Sequence, residues 1–66
     1  MKIILNGEEK EVADDLDLAG LIADLQLAGS RYAVEVNETL VPRSEHAGHR
    51  LQPGDRVEVV QAIGGG

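Results

Sequence analysis

Leu18, Leu21, Ile22 and Leu25 fall at the i, i+3, i+4, i+7 spacing that puts four apolar side chains on one helical face. The remaining apolar residues alternate as strands do or come in short runs. One helix covers one face of one sheet, so the chain is restricted to an α+β layer pair whose second sheet face stays largely open. The length agrees, because 66 residues make one small domain. With no cysteine there is neither a disulfide nor a thiolate zinc site to brace it, and with no Phe or Trp the core is aliphatic. At 42% hydrophobic the chain has enough Leu, Ile, Val and Ala for such a core, and too much for a disordered segment.

Strand signals surround the helix. Met1 to Leu5 is a short apolar run followed by Asn6-Gly7, a pair that accepts the positive φ angles of a type I′ hairpin turn. Glu8 to Val12 is the charged return strand, suited to a sheet edge. Asp17 is the expected helix N-cap, Gly29 the expected C′ residue, and Gly20 a cost of about 1 kcal/mol inside the helix. Tyr32 to Asn37 alternates, Thr39 to Val41 is a short strand, and Pro42 to His49 holds one helical turn. Gln52-Pro53-Gly54-Asp55 predicts a type II turn before a last strand over 56–63. The covered face then takes Ile3, Leu5, Val34, Val36, Val57 and Val59 against the helix. A single domain over 1–63 and a flexible glycine tail over 64–66 are expected.

Charge narrows the function. Twelve acids against six bases give a net charge of −6, the wrong sign for nucleic acid or an anionic membrane and the right one for a basic partner surface. No apolar run approaches the ~20 residues of a membrane span, and a chain this small has no room for a large enclosed active site. Absence of cysteine fits a reducing compartment, so a cytoplasmic location is expected.

The strongest chemical candidate is the end of the chain. Gly64, Gly65 and Gly66 have no side chains, so they can enter a narrow channel and carry the carboxylate of Gly66 into it. An ionised α-carboxylate is a poor acylating agent until it is activated, commonly as an acyl-adenylate formed from ATP. The chain has no phosphate-binding loop, so the ATP site belongs to a partner. His46 and His49, with Glu45, share a helical turn but are better read as surface histidines than as metal ligands; no metal site is expected. Arg43 is a candidate for an acidic partner patch. The acidic run of Glu8, Glu9, Glu11, Asp14, Asp15 and Asp17 reads as a solvated face plus one cap. If the first and last strands lie side by side, Ile4, Val60 and Ala62 fall together on the open face and form a partner surface.

Asn6-Gly7-Glu8, Val34-Glu35-Val36-Asn37, Val41-Pro42-Arg43, Gly54-Asp55, Val57-Glu58-Val59-Val60 and Ala62-Ile63-Gly64-Gly65-Gly66 occur in an order and spacing that resembles the ThiS family of sulfur carriers. The resemblance implies a ubiquitin-like β-grasp fold: a mixed sheet of four to five strands on one helix, with the first and last strands parallel at its centre. It also implies a carrier rather than an enzyme. A ThiF-type, E1-like adenylyltransferase would use ATP and magnesium to adenylate Gly66, with Gly65 completing the Gly-Gly end. A persulfide donor would supply sulfur to form a thiocarboxylate, and thiazole synthase would take that sulfur for thiamine. No cofactor would be bound by this chain itself. The alternatives are a related carrier of molybdopterin synthesis, whose members tend to be longer and to use aromatic core residues, and a small ubiquitin-like binding or modifier module.

Overall fold

The computed structural model describes residues 1–61; Ala62, Ile63, Gly64, Gly65 and Gly66, with the expectations placed on them, lie outside the described residues. Strand β1 (Lys2–Leu5) turns through Asn6-Gly7 into β2 (Glu8–Glu11), and both turn residues take the expected positive φ, 50° and 84°. Helix α1 (Leu18–Asp24) follows, then β3 (Tyr32–Val36), β4 (Thr39–Leu40), a 3₁₀ turn (Arg43–Glu45) and β5 (Arg56–Gln61). The sheet order is β2-β1-β5-β3-β4. β1 and β5 are parallel, with Ile4 opposite Arg56 and Leu5 opposite Val57; the other pairings are antiparallel. The charged β2 is an edge strand, exposed along its length.

Helix α1 starts where Asp17 caps it. One carboxylate oxygen accepts the Gly20 N–H at 2.8 Å and the other accepts the Gly48 N–H at 3.0 Å. A Cβ at Gly20 would come within 2.8 Å of Leu16 Cδ1, the movable end of its side chain, and 3.2 Å of the capping oxygen, so a larger residue there requires Leu16 to shift. The helix ends three residues before the expected Gly29. Gln26 takes the left-handed conformation (φ 61°), donating its N–H to Ala23 O, while the Leu27 N–H reaches back to Ile22 O. This pair of bonds is a Schellman motif, and the half-buried Leu27 packed against the core explains the early stop. Gly29 instead supplies the positive φ (88°) of the next turn, which Ser30 N–H closes onto Leu27 O.

The core consists of Ile3, Leu18, Leu21, Ile22, Val34, Val36, Val41, Leu51 and Val57. Leu5, Leu25 and Val59 are only half-buried, because a seven-residue helix does not reach the ends of the sheet. β4 stops at Leu40, one residue short of the expected strand end, and Val41 just beyond it and Leu51, which follows no period, are buried in the core from the 41–51 connection.

Hydrogen bonds from Gly48 and then Gly20 hold the Asp17 carboxyl below its ordinary pKa of 3.8. A depressed folded-state pKa contributes stability above the unfolded value and loses it as pH falls through the folded one. The substitution Asp17→Ala therefore lowers the urea midpoint at neutral pH. The gap to wild type narrows progressively below pH 3.8, and urea titrations across that range measure it.

Candidate functional site

Strand alternation puts Lys2 and Ile4 of β1, Arg56, Glu58 and Val60 of β5, Ala33 and Glu35 of β3 and Leu40 of β4 on the sheet face away from α1. Leu40 and Val60 are the large apolar residues most open there, at 63% and 64% exposure. Ile4 and Val60 do share this face, but they do not form one patch. Ile4 lies beside Arg56, and Val60 is four residues further along β5, roughly 13 Å away at strand rise. Ile4 instead lines a shallow hollow of about 290 Å³ with Gly7, Glu38, Arg56 and Glu58, whereas Val60 lies opposite Ala33.

Between these apolar points Glu35 and Glu58 face each other across β3 and β5. Like charges at directly opposed positions are destabilising. Glu38 and Glu58 share the hollow with Arg56, and Lys2 pairs with Glu9 at 3.7 Å, so the face is acidic on balance and dotted with apolar side chains, which is complementary to a basic partner carrying apolar contacts.

Arg43 lies elsewhere, beyond the outer flank of β3. Its guanidinium sits 4.4 Å from the Tyr32 ring centroid and donates to Ser30 O at 2.7 Å. Tyr32 in turn stacks on His46, with ring centroids 5.8 Å apart and planes inclined by 27°. His46 is not the surface residue its neighbours suggest: it is 4% exposed. The Val41 carbonyl can only accept, so Nε2 donates in their 2.9 Å hydrogen bond, and Nδ1 is buried with no partner among the described residues. With Ala28 and Ala47 the three stacked residues line a second hollow of about 330 Å³. Among the described residues no three His, Cys, Asp or Glu side chains come together as metal ligands.

The acidic run has divided roles. Asp17 caps the helix, while Asp14 and Glu11 hold the Met1 ammonium at 2.8 and 3.1 Å. The hydrogen bond to Asp14, and then that to Glu11, raises the ammonium pKa; the same contact keeps the Asp14 carboxyl below its usual range.

The last described strand thus lies between β1 and β3 in the middle of the sheet and leads directly to residue 62 and the glycines beyond. The ThiS family model matches residues 3–66. The chain belongs to the ThiS family. It is 30% identical over 66 residues to the sulfur carrier protein ThiS of Escherichia coli K12, covering all of both chains. The crystal structure of the thiamine biosynthesis protein ThiS from Geobacter metallireducens superposes with a TM-score of 0.84 at 29% identity, again over the whole of both chains. This family member therefore has the β-grasp fold, and the parallel β1–β5 pairing is that of the fold. The chain is also 36% identical over 66 residues to a thiazole synthase of Paramagnetospirillum magneticum and 42% identical to one of Magnetococcus marinus, spanning 20% of the length of each.

Glu58→Lys replaces the opposed pair by an attractive one. It is expected to stabilise the fold by about 0.2–1 kcal/mol, read as a raised urea midpoint that falls back with added salt. If the acidic face serves a basic partner, the same substitution weakens that complex.

Proposed function

We propose that this ThiS-family protein is a sulfur carrier for thiamine thiazole synthesis and that Gly66 is its reacting end. The observation that carries this reading is β5. It is anchored between β1 and β3 at Arg56 and Val57 and pairs with β3 as far as Gln61, and five residues beyond Gln61 reach at most roughly 16–18 Å, enough to put a carboxylate into a partner's channel while the folded body docks outside.

The chemistry belongs to the partners. A ThiF-type adenylyltransferase with ATP and magnesium lets the Gly66 carboxylate attack the α-phosphate, releasing pyrophosphate and leaving an acyl-adenylate. A persulfide sulfur attacks the acyl carbon and expels AMP. Cleavage of the resulting S–S bond by a second thiol leaves the thiocarboxylate. The chain has no cysteine that could divert either acyl intermediate. Its likeness to a fifth of proteins named thiazole synthase supports a thiazole synthase as the acceptor. The carrier binds no cofactor in this scheme and acts as a co-substrate. The body would be read on its open face, where Ile4 and Val60 are separate contact points, and Gly64, Gly65 and Gly66 would line the channel. Arg43, drawn into the Tyr32 stack, is not on that face.

Intact-mass measurement of the protein from its own cells is expected to show a fraction with one oxygen exchanged for sulfur. Gly65→Leu is expected to abolish adenylation while leaving the urea midpoint unchanged, and Val60→Asp to weaken binding of the adenylating enzyme about tenfold or more, consistent with loss of a buried apolar contact. Normal adenylation of a chain extended past Gly66 would overturn the reading.

A further inference from the structure

β5 is held unevenly. Its pairing with β1 covers Arg56 and Val57, after which the Val59 N–H turns to Asn6 Oδ1 at 2.8 Å. Among the described residues, Val60 and Gln61 pair only with β3, opposite Ala33 and Tyr32. That end of β3 is itself unflanked. β4 pairs with Glu35 and Val36, Val41 donates to Val34 O, and no strand lies outside Tyr32 and Ala33 among the described residues.

What holds it is the side-chain stack. Arg43 covers one face of Tyr32 and ties the approach to β3 by its bond to Ser30 O. His46 stacks on the Tyr32 ring and is fixed at two points, by its bond to Val41 O and by its own carbonyl, which accepts the Ala19 N–H of the helix at 3.2 Å. The last rung of β5 therefore rests on Tyr32, and Tyr32 rests on Arg43 and His46.

We propose that Tyr32, Arg43 and His46 are positioning residues that aim the C-terminal segment. By fixing the Tyr32–Gln61 rung they set the direction in which the chain leaves the sheet. They thereby set the fraction of molecules whose terminal carboxylate can enter an adenylating site. The proposal rests on the reading of Gly66 as the reacting end. The three side chains touch no reacting atom and act through the close Tyr32–Gln61 pair, which has no backbone hydrogen bond of its own, and the Ala33–Val60 pair beside it. When only a fraction of molecules is competent to bind, the apparent affinity falls by that fraction while the bound complex reacts as before. Loosening the rung therefore raises KM for the carrier and leaves kcat unchanged.

The test compares wild type with Tyr32→Leu, Tyr32→Phe and Arg43→Ala, measuring amide exchange by NMR and steady-state adenylation by a ThiF-type enzyme. Tyr32→Leu is expected to speed exchange at Val60, whose N–H faces β3, relative to Ile3 and Ile4, and to raise KM about tenfold with kcat unchanged. Arg43→Ala, at an exposed position that folding tolerates, is expected to do the same to a smaller extent. Tyr32→Phe, which keeps the stacked ring, is expected to restore wild-type values. Unchanged KM in both Tyr32→Leu and Arg43→Ala, or faster exchange spread evenly over the sheet, overturns the positioning role while leaving the carrier reading intact. A wild-type protein that is not adenylated at all overturns the carrier reading instead, and localised exchange at Val60 would still stand as evidence that the stack holds this end of β5.

Discussion

The Asp17 carboxylate sits where three segments meet. One oxygen closes the first turn of α1 through Gly20 and the other takes the Gly48 N–H from the connection that precedes β5. Around it the backbone does the same, with Leu18 N–H on His49 O, Leu51 N–H on Leu16 O and a bridge between Asp17 and Arg50. A seven-residue helix is far too short to hold together alone in water. It persists because its start is bonded to that connection and its end is closed by Gln26 and Leu27. Only with both ends held do Leu18, Leu21 and Ile22 reach the sheet and complete a core whose buried apolar members are all aliphatic.

A single short helix leaves the other sheet face uncovered, and that face is not neutral. Keeping Glu35 opposite Glu58 costs the isolated fold something, yet it sharpens the sign of a surface whose apolar points, Ile4, Val60 and Leu40, are spread out. A partner that reads such a surface needs several separated contacts in register with its own positive charges. Spacing of that kind favours selectivity over adhesiveness, since the described residues of the face offer no continuous apolar patch to unrelated proteins.

Much of this architecture was legible from residue order. Asn6-Gly7, the Asp17 cap, the helical stripe and the Gln52–Asp55 turn each depend on local geometry, and local geometry is what short motifs encode. Where tertiary contacts decided, the pattern misled. Gly29 is the better left-handed residue, but Leu27 had a core to pack against, so Gln26 took the strained position. His46 reads as a surface residue because its neighbours are polar, and only the stacked Tyr32 and the Val41 carbonyl make it an interior one. Leu51 belongs to no period at all, and Val41 keeps the strand alternation although β4 stops at Leu40. Alternation put Ile4 and Val60 on one face correctly, but it carries no register, and the register separates them. The parallel β1–β5 pairing was likewise beyond the residue pattern and came from family resemblance.

That pairing joins strands separated by fifty residues, Ile4 to Arg56 and Leu5 to Val57. The β1–β2 hairpin, the capped helix and the β3–β4 hairpin are local and can form early, whereas the central parallel contact has to wait for the chain to bring distant segments together. It is therefore among the last interactions to be made, although it carries the strand that leads toward the glycines. A chain still on its way to the native state has hairpins and a helix but no anchored β5. If Gly66 is the reacting end, as proposed, a partner that approaches such a chain finds nothing held at a fixed angle, and presentation of the end is tied to completion of the fold.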